Sequence, residues 1–289
     1  HERVDDDTDS DLMWALRGAG GLVGIVTALE IELVPAPDIW GANLTFDVAD
    51  APAVAALAPF IKQLAEQTGY AHHVLTEYED QSMGETNVYL AVLSRIAISG
   101  SEIVRLGNNL TGRNAIMLDL KSAEFGDFRL LGLHLSDATE EARLDQATSV
   151  SQQIDRAGED QRELIVAGDF NAMHRDDFRA HVLRSSAVRT LAHSAPSQKL
   201  RSIATRLSAM AEGVALDTIE RAGVSDADPR HHATTTPKMR DLPSWVPSVR
   251  IAQIDHILHT DGLASSDYRV HPDGGSDHRP ISASLRRNT

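Results

Sequence analysis

Four short apolar runs constrain the fold of this chain more than any other feature. They read "VYLAVLSR" (88–95), "AIMLDL" (115–120), "FRLLGLHL" (128–135) and "ELIVAGDF" (163–170). Each is too short for a buried helix, rich in Leu, Ile and Val, and closed by a polar residue or glycine, so each reads as a buried strand. Between the third and fourth, Arg143 to Ala157 carries the spacing of an amphipathic helix. Strands and helices mixed in this way give an α/β fold with buried sheets.

Further elements extend the pattern. Ala51 to Gln67 reads as a helix, with Val54, Leu57, Ile61 and Leu64 at helical spacing and Gly69 as its stop. Thr205 to Ala222 reads as one long helix, followed by a Pro-rich loop from Asp228 to Pro247. "IDHILHT" and "PISASL" are two final strands flanking a turn built on "PDGGSDHRP". Nearer the start, Asp9 to Asp11 offer cap chemistry for a short helix over Leu12 to Leu16. Gly18 to Gly24 forms a loop, and Val23 to Val34 alternates as a strand does until Pro35 and Pro37 stop it.

Composition removes several function classes. No apolar run of about 18 residues exists, so no membrane span is expected. The absence of cysteine excludes disulfides, thiolate metal sites and cysteine nucleophiles. The net charge of −15 argues against broad non-specific binding to duplex DNA. Residues 174–210 depart from that balance with seven Arg or Lys against two Asp, among them Arg201 and Arg206. That stretch is either a solvated helix face or a contact for phosphate. The chain opens at His1 without a basic-then-apolar leader, so no secretory signal is expected and the default compartment is cytoplasmic.

Polar residues then gather where the strands end. Asp169 and Asn171 close one strand, and His134 closes another. Asp255 and His256 lie in "QIDHIL", while Asp277 and His278 precede Pro280. Singly, each has an ordinary explanation as a turn residue, a surface pair or a satisfied core histidine. Together they supply the parts of phosphoester hydrolysis: hard oxygen ligands for a divalent metal, a base for water, and donors for phosphoryl oxygens.

"IVAGDFNA", "IDHIL" and "SDHRPISASL", in that order, resemble the endonuclease/exonuclease/phosphatase family of metal-dependent phosphohydrolases over roughly residues 61–285. "NVYLAVLSR", "LLGLHLSD" and Arg143 to Gln146 in "RLDQA" also look like its signatures. The resemblance implies a four-layer α/β sandwich with its site at the strand ends. It makes Asp277 a metal ligand for Mg2+ or Mn2+, with Asp169 holding metal or positioning water. His278 would contact the phosphate or activate water, oriented by Asp255. Asn171 would bind a phosphoryl oxygen and His134 would donate from the opposite side. His256 should face the other side of its strand in a structural role. The implied partner is a phosphoester, nucleic acid included.

The family's early asparagine and metal-binding glutamate have no counterpart here. The carboxylate nearest in sequence is Asp47, in "LTFDVAD". "DLMWALRGAGGLVGIVTALEIELVP" and "GANLTFDVADAPAV" instead resemble part of a berberine-bridge-type, FAD-linked oxidase, over about the first 55 residues. This divides the chain at 57/58 into an oxidase-like segment and a phosphohydrolase domain. The reading that follows is a phosphohydrolase, active or impaired. Its alternatives are a non-catalytic phosphate-ligand binder and, behind it, a flavin oxidoreductase.

Overall fold

A computed structural model describes residues 38–47, 51–76, 86–108, 112–123, 125–186, 190, 194, 198–235, 252–272 and 278–288. The expected elements before residue 38 lie outside these, as does much of the Pro-rich loop. The chain builds two main sheets. Strands β4 (Ala97–Leu106), β5 (Arg113–Ser122), β6 (Gly126–His134), β7 (Glu163–Asp169), β8 (Val224–Asp226) and β9 (Asp255–Thr260) form a six-stranded sheet in the order β4-β5-β6-β7-β9-β8. Strands β1 (Ile39–Asp47), β2 (His72–Leu75) and β3 (Thr86–Ser94) form a second sheet with β3 at its centre. A hairpin of β10 (Leu263–Val270) and β11 (Ile281–Arg287) completes the strands.

Alternation along the strands sorts the side chains into layers. Leu90 and Val92 of β3 meet Ile116, Leu118 and Leu120 of β5 and Phe128 and Leu130 of β6 in the core between the sheets. The opposite faces of those strands carry Ala115, Met117, Leu131 and Leu133. These pack against helix α2 (Glu140–Glu159) through Ala147, Val150 and Ile154. On the far side, helix α1 (Ala51–Thr68) buries Leu57 and Ile61 against Tyr89 and Ala91 of β3. Helix, sheet, sheet and helix make the expected four-layer α/β sandwich. The central strands β3, β5, β6 and β7 are strongly apolar because they have buried neighbours on either face, whereas the edge strand β4 is largely exposed.

Helix limits follow local chemistry. Thr139 caps α2 by accepting from the Ala142 N–H at 3.2 Å, and Glu140 and Glu141 occupy the first turn. Gly69, at φ 75°, ends α1 where the sequence places its stop. The single helix expected over residues 205–222 is two. They are α4 (Gln198–Met210) and α5 (Val214–Arg221), preceded by the short α3 (Phe178–Arg184). The break falls at Gly213 with φ 65°, where any side chain would collide with the Met173 carbonyl. The chain after β7 therefore docks into the helix break. Among the described helices, none is long and apolar enough to cross a membrane.

β1 lies in the stretch that resembles an oxidase. It pairs with β3 along nine residues, from Ile39 opposite Ser94 to Asp47 opposite Thr86. The 57/58 division falls inside α1.

Candidate active site

Topology sets a row of side chains. β6 and β7 run parallel with α2 as their crossover, so their C-terminal ends lie side by side and His134 pairs with Asp169. β9 runs antiparallel to β7 and begins with Asp255 opposite Asp169. Residues in register on neighbouring strands project to the same face, so His134, Asp169 and Asp255 form one line across three strands. His278 joins them through a backbone bridge to Thr235, with the Arg279 N–H donating to the Thr234 carbonyl at 2.8 Å.

Glycine and asparagine in "GDFN" have distinct backbone duties. Gly168 sits at φ 145°, and a Cβ there would run into the Leu133 carbonyl. Only glycine permits this close approach of β7 to β6. Asn171 adopts φ 48° and its N–H donates to Asp169 Oδ1 at 2.8 Å. Its side-chain amide donates to the Leu135 carbonyl at 2.9 Å, which ties the ends of β6 and β7 together. Arg143 and Gln146 of α2 hold the same turn. Arg143 donates to the Ser136 carbonyl at 2.9 Å, and Gln146 accepts from the Ser136 N–H at 2.8 Å.

His278 Nδ1 lies 2.9 Å from both Asp255 oxygens. A carboxylate only accepts, so Nδ1 carries a proton, and in the neutral ring Nε2 keeps its lone pair. That nitrogen is 3.9 Å from Asp169 Oδ2. Thr234 steadies Asp255 by donating to Oδ2 at 2.6 Å. Sequence reasoning missed Thr234, because a threonine in "HHATTTP" carries no signal of its partner in β9.

Electrostatics at the row are unbalanced. Burial pushes Asp169 up to about 8, the Asp255 carboxylate pushes in the same direction, and His278 opposes them. Burial also pulls His134 down to about 3, helped by the positive charge of Arg113 and by that of His278 when its ring is protonated. His134 is therefore a neutral imidazole. Its Nε2 lies 3.6 Å from Asp169 Oδ2, and its buried Nδ1 has no hydrogen-bond partner among the described residues. Arg113, a second residue the sequence did not single out, pairs with Asp137 at 3.4 Å beside this end of β6.

Ligand atoms of Asp169, Asp255 and His278 lie within 4.8 Å of one another. Two carboxylates facing one imidazole leave negative charge that suits a hard divalent cation. Asp277 lies outside the described residues. Asp47 ends β1, and its side chain lies outside them too. β1 runs close to β7 in the sandwich.

His256, next to Asp255, faces the other side of β9 and is fully buried. Its Nδ1 is 2.6 Å from Asp226 Oδ2 and its Nε2 is 2.9 Å from the Ala172 carbonyl. Both partners accept, so the ring carries both protons. Burial alone would raise Asp226. The His256 charge and the hydrogen bonds from His174 and His256 outweigh it and hold that carboxyl well below its usual range.

With this arrangement in view, the sequence itself decides the family. Residues 7–278 match the Endonuclease/Exonuclease/phosphatase family. The chain belongs to that family. Solved structures of the same fold include an endonuclease/exonuclease/phosphatase from Beutenbergia cavernae DSM 12333, at TM-score 0.53 and 20% identity. The alignment covers 87% of this chain and 63% of that one. An endonuclease/exonuclease/phosphatase family protein from Leptotrichia buccalis C-1013-b gives TM-score 0.53 at 14% identity, covering 86% and 87%. The 3' phosphatase NExo from Neisseria, solved with product DNA hairpin, gives TM-score 0.50 at 17% identity, covering 86% and 88%. These likenesses show the fold of the family. Comparison with curated proteins finds no match. The family match starts at residue 7 and runs through the oxidase-like segment, for which the comparisons bring no support.

Proposed function

We propose that the chain is a divalent-metal-dependent hydrolase of phosphoester bonds, nuclease or phosphatase in type. One observation carries the reading: His134, Asp169 and Asp255 stand in register across three strands, with His278 held against Asp255. In this reading His278 Nε2 accepts the proton of the attacking water, and Asp255 with Thr234 fixes the tautomer that makes this possible. Asp169 orients the water. Neutral His134 donates a hydrogen bond to a phosphoryl oxygen, and Asn171 offers the same from the turn after β7. Asp169 and Asp277 would hold Mg2+ or Mn2+, which supplies charge stabilisation for the phosphoryl group when bound. Asp47 is the candidate for the missing third carboxylate.

We take residues 58–289 as the unit bearing the site, with β1 paired to it. Arg206 of α4 lies 3.2 Å from Asp137, in the loop that follows His134, which supports a role for the basic stretch in holding an anionic substrate. The Neisseria NExo structure is that of a 3' phosphatase bound to product DNA, which favours nucleic acid among the phosphoesters to try first. No flavin chemistry enters, and a stoichiometric flavin absorbance on the purified chain would reopen that question.

The test is a screen of phosphoesters with added Mg2+ or Mn2+. Hydrolysis should stop in chelator, return with metal, and fall at least about a thousandfold in His278→Ala with the fold intact. Full activity in chelator, or in His278→Ala, would sink the assignment. The rival reading, a non-catalytic binder, rests on the missing glutamate. It requires ligand binding without turnover under every metal tried.

A further inference from the structure

A second cluster of histidines and carboxylates lies on the other side of β7 and β9, away from the catalytic row. It borders an open cavity of about 580 Å³ lined by His174, Asp176, Glu220, Asp226 and His231 among others. Ligand atoms of His174, Asp176 and His231 lie within 4.8 Å of one another. These residues come from separate segments: the chain just past "GDFNAM" and the loop after β8. Glu220 adds a third, in α5.

His174 is already oriented as a metal ligand would be. Its Nε2 lies 2.9 Å from Asp226 Oδ2, and because the carboxylate accepts, that nitrogen carries the proton. Nδ1 is left with its lone pair, 3.6 Å from Glu220 Oε1. A carboxylate behind an imidazole is the arrangement that fixes tautomer and basicity at metal sites. His231 shows the same openness. Its Nε2 is 3.5 Å from Asp176 Oδ1, and its Nδ1 is buried with no hydrogen-bond partner among the described residues.

The two spacings are informative. At 3.5 and 3.6 Å they are long for hydrogen bonds. They match the separation of about 3.4 Å between neighbouring donors in a tetrahedron with bonds of about 2.1 Å. The His174 and His231 rings stand 4.2 Å apart between centroids, tilted by 42°. Two imidazoles so close, each facing a carboxylate, suit a shared cation better than two separate protons. Nitrogen donors mixed with oxygen favour a borderline transition metal over magnesium.

We propose that His174, Asp176 and His231, with Glu220 beside His174, form a second metal site that takes a divalent transition-metal ion of the Zn2+ type. The ion clamps the chain after "GDFNA" to α5 and to the loop leading into Thr234, which supports Asp255. Its role is to brace the catalytic framework rather than to touch substrate.

Cobalt is the probe, because Co2+ bound to imidazole and carboxylate in tetrahedral geometry shows visible ligand-field bands. With excess Mg2+ present, the full chain should bind one Co2+, displaced by Zn2+ and not by Mg2+. Asp176→Ala and His231→Gln should each weaken cobalt binding at least tenfold. His278→Ala and Asp169→Asn should leave it unchanged. The Asp176 side chain is 81% exposed, so its removal spares the fold. Zn2+ should also raise the thermal midpoint of the parent and not of Asp176→Ala. Absence of ligand-field bands at stoichiometric cobalt would overturn the proposal. So would bands that survive Asp176→Ala and His231→Gln but vanish in His278→Ala.

Discussion

Asp169 and Asp226 stand at the ends of nearby strands, both buried, both beside histidines, and their surroundings treat them oppositely. Asp169 faces another carboxylate, Asp255, and is pushed up to about 8. Asp226 receives hydrogen bonds from His174 and His256 and is held well below its usual range. One cluster is short of positive charge and the other is balanced. Paired, hydrogen-bonded buried charge is tolerated by a fold, whereas unbalanced buried charge costs stability unless something else arrives. The difference fits the proposed function, with Asp169 at the chemistry and Asp226 in the scaffold.

Substitutions should separate the two regions cleanly. Asp255→Asn removes the group that fixes the His278 tautomer. It should lower kcat by about three to four orders of magnitude with little change in thermal midpoint. Asp226→Asn should do the reverse. Leaving the His256 charge without its partner should cost about 3–5 kcal/mol of stability in denaturant unfolding. If Asp255→Asn unfolds the protein and Asp226→Asn only slows it, the assignment of the two regions is inverted.

The pH dependence of stability sharpens the contrast. In metal-free protein the raised Asp169 pKa favours the neutral acid. Its stabilising contribution is full below the ordinary value of 3.8 and is lost as pH rises through about 8. Asp169→Asn should flatten that decline and be more stable than the parent at pH 8. His134 has the opposite sign. Its folded pKa of about 3 lies below the ordinary 6.5, so its contribution is present above 6.5 and lost as pH falls toward 3. His134→Gln should reduce the acid-side loss. Parallel profiles for parent and variants in chemical denaturation would refute the charge imbalance.

Smaller effects test the supports. Thr234→Val removes one hydrogen bond to Asp255 and should lower kcat about tenfold, leaving KM in place. Replacing Arg201 and Arg206 together should raise KM a few-fold at low salt and flatten its salt dependence. An unchanged KM would return that stretch to a solvated helix face.

The sequence revealed the interior of the fold better than its margins. β3, β5, β6 and β7 were legible because neighbours on both faces make them apolar throughout. β2, β4, β8 and β10 escaped notice. β2, β4 and β8 are sheet-edge strands and β10 is half of a hairpin, and "AISGSEIVRL" and "LASSDYRV" alternate with many exposed polar residues. β10 also means that the turn around "PDGGSDHRP" joins β10 to β11 rather than following β9 directly. Among the candidate site residues, Asp169, Asn171 and Asp255 were legible because each interrupts or closes an apolar run, and His278 because it stands in "SDHRP" just before the last strand. Thr234, Arg113 and the cluster of His174 with His231 were not. Their partners lie far along the chain and no periodicity links them.

The parallel pairing of β6 with β7, and the antiparallel pairing of β7 with the much later β9, also govern when the site comes into being. Residues 134, 169, 255 and 278 meet only after long stretches of chain have closed on one another, and such non-local contacts form slowly. A ribosome delivers His278 long after His134, so the row stays incomplete through most of synthesis. Under the proposed function, hydrolysis by a nascent or partly assembled chain would thereby be withheld until the sandwich has closed. Enzymatic activity becomes a stricter clock of folding than secondary structure, and after dilution from denaturant it should return later than the far-UV signal.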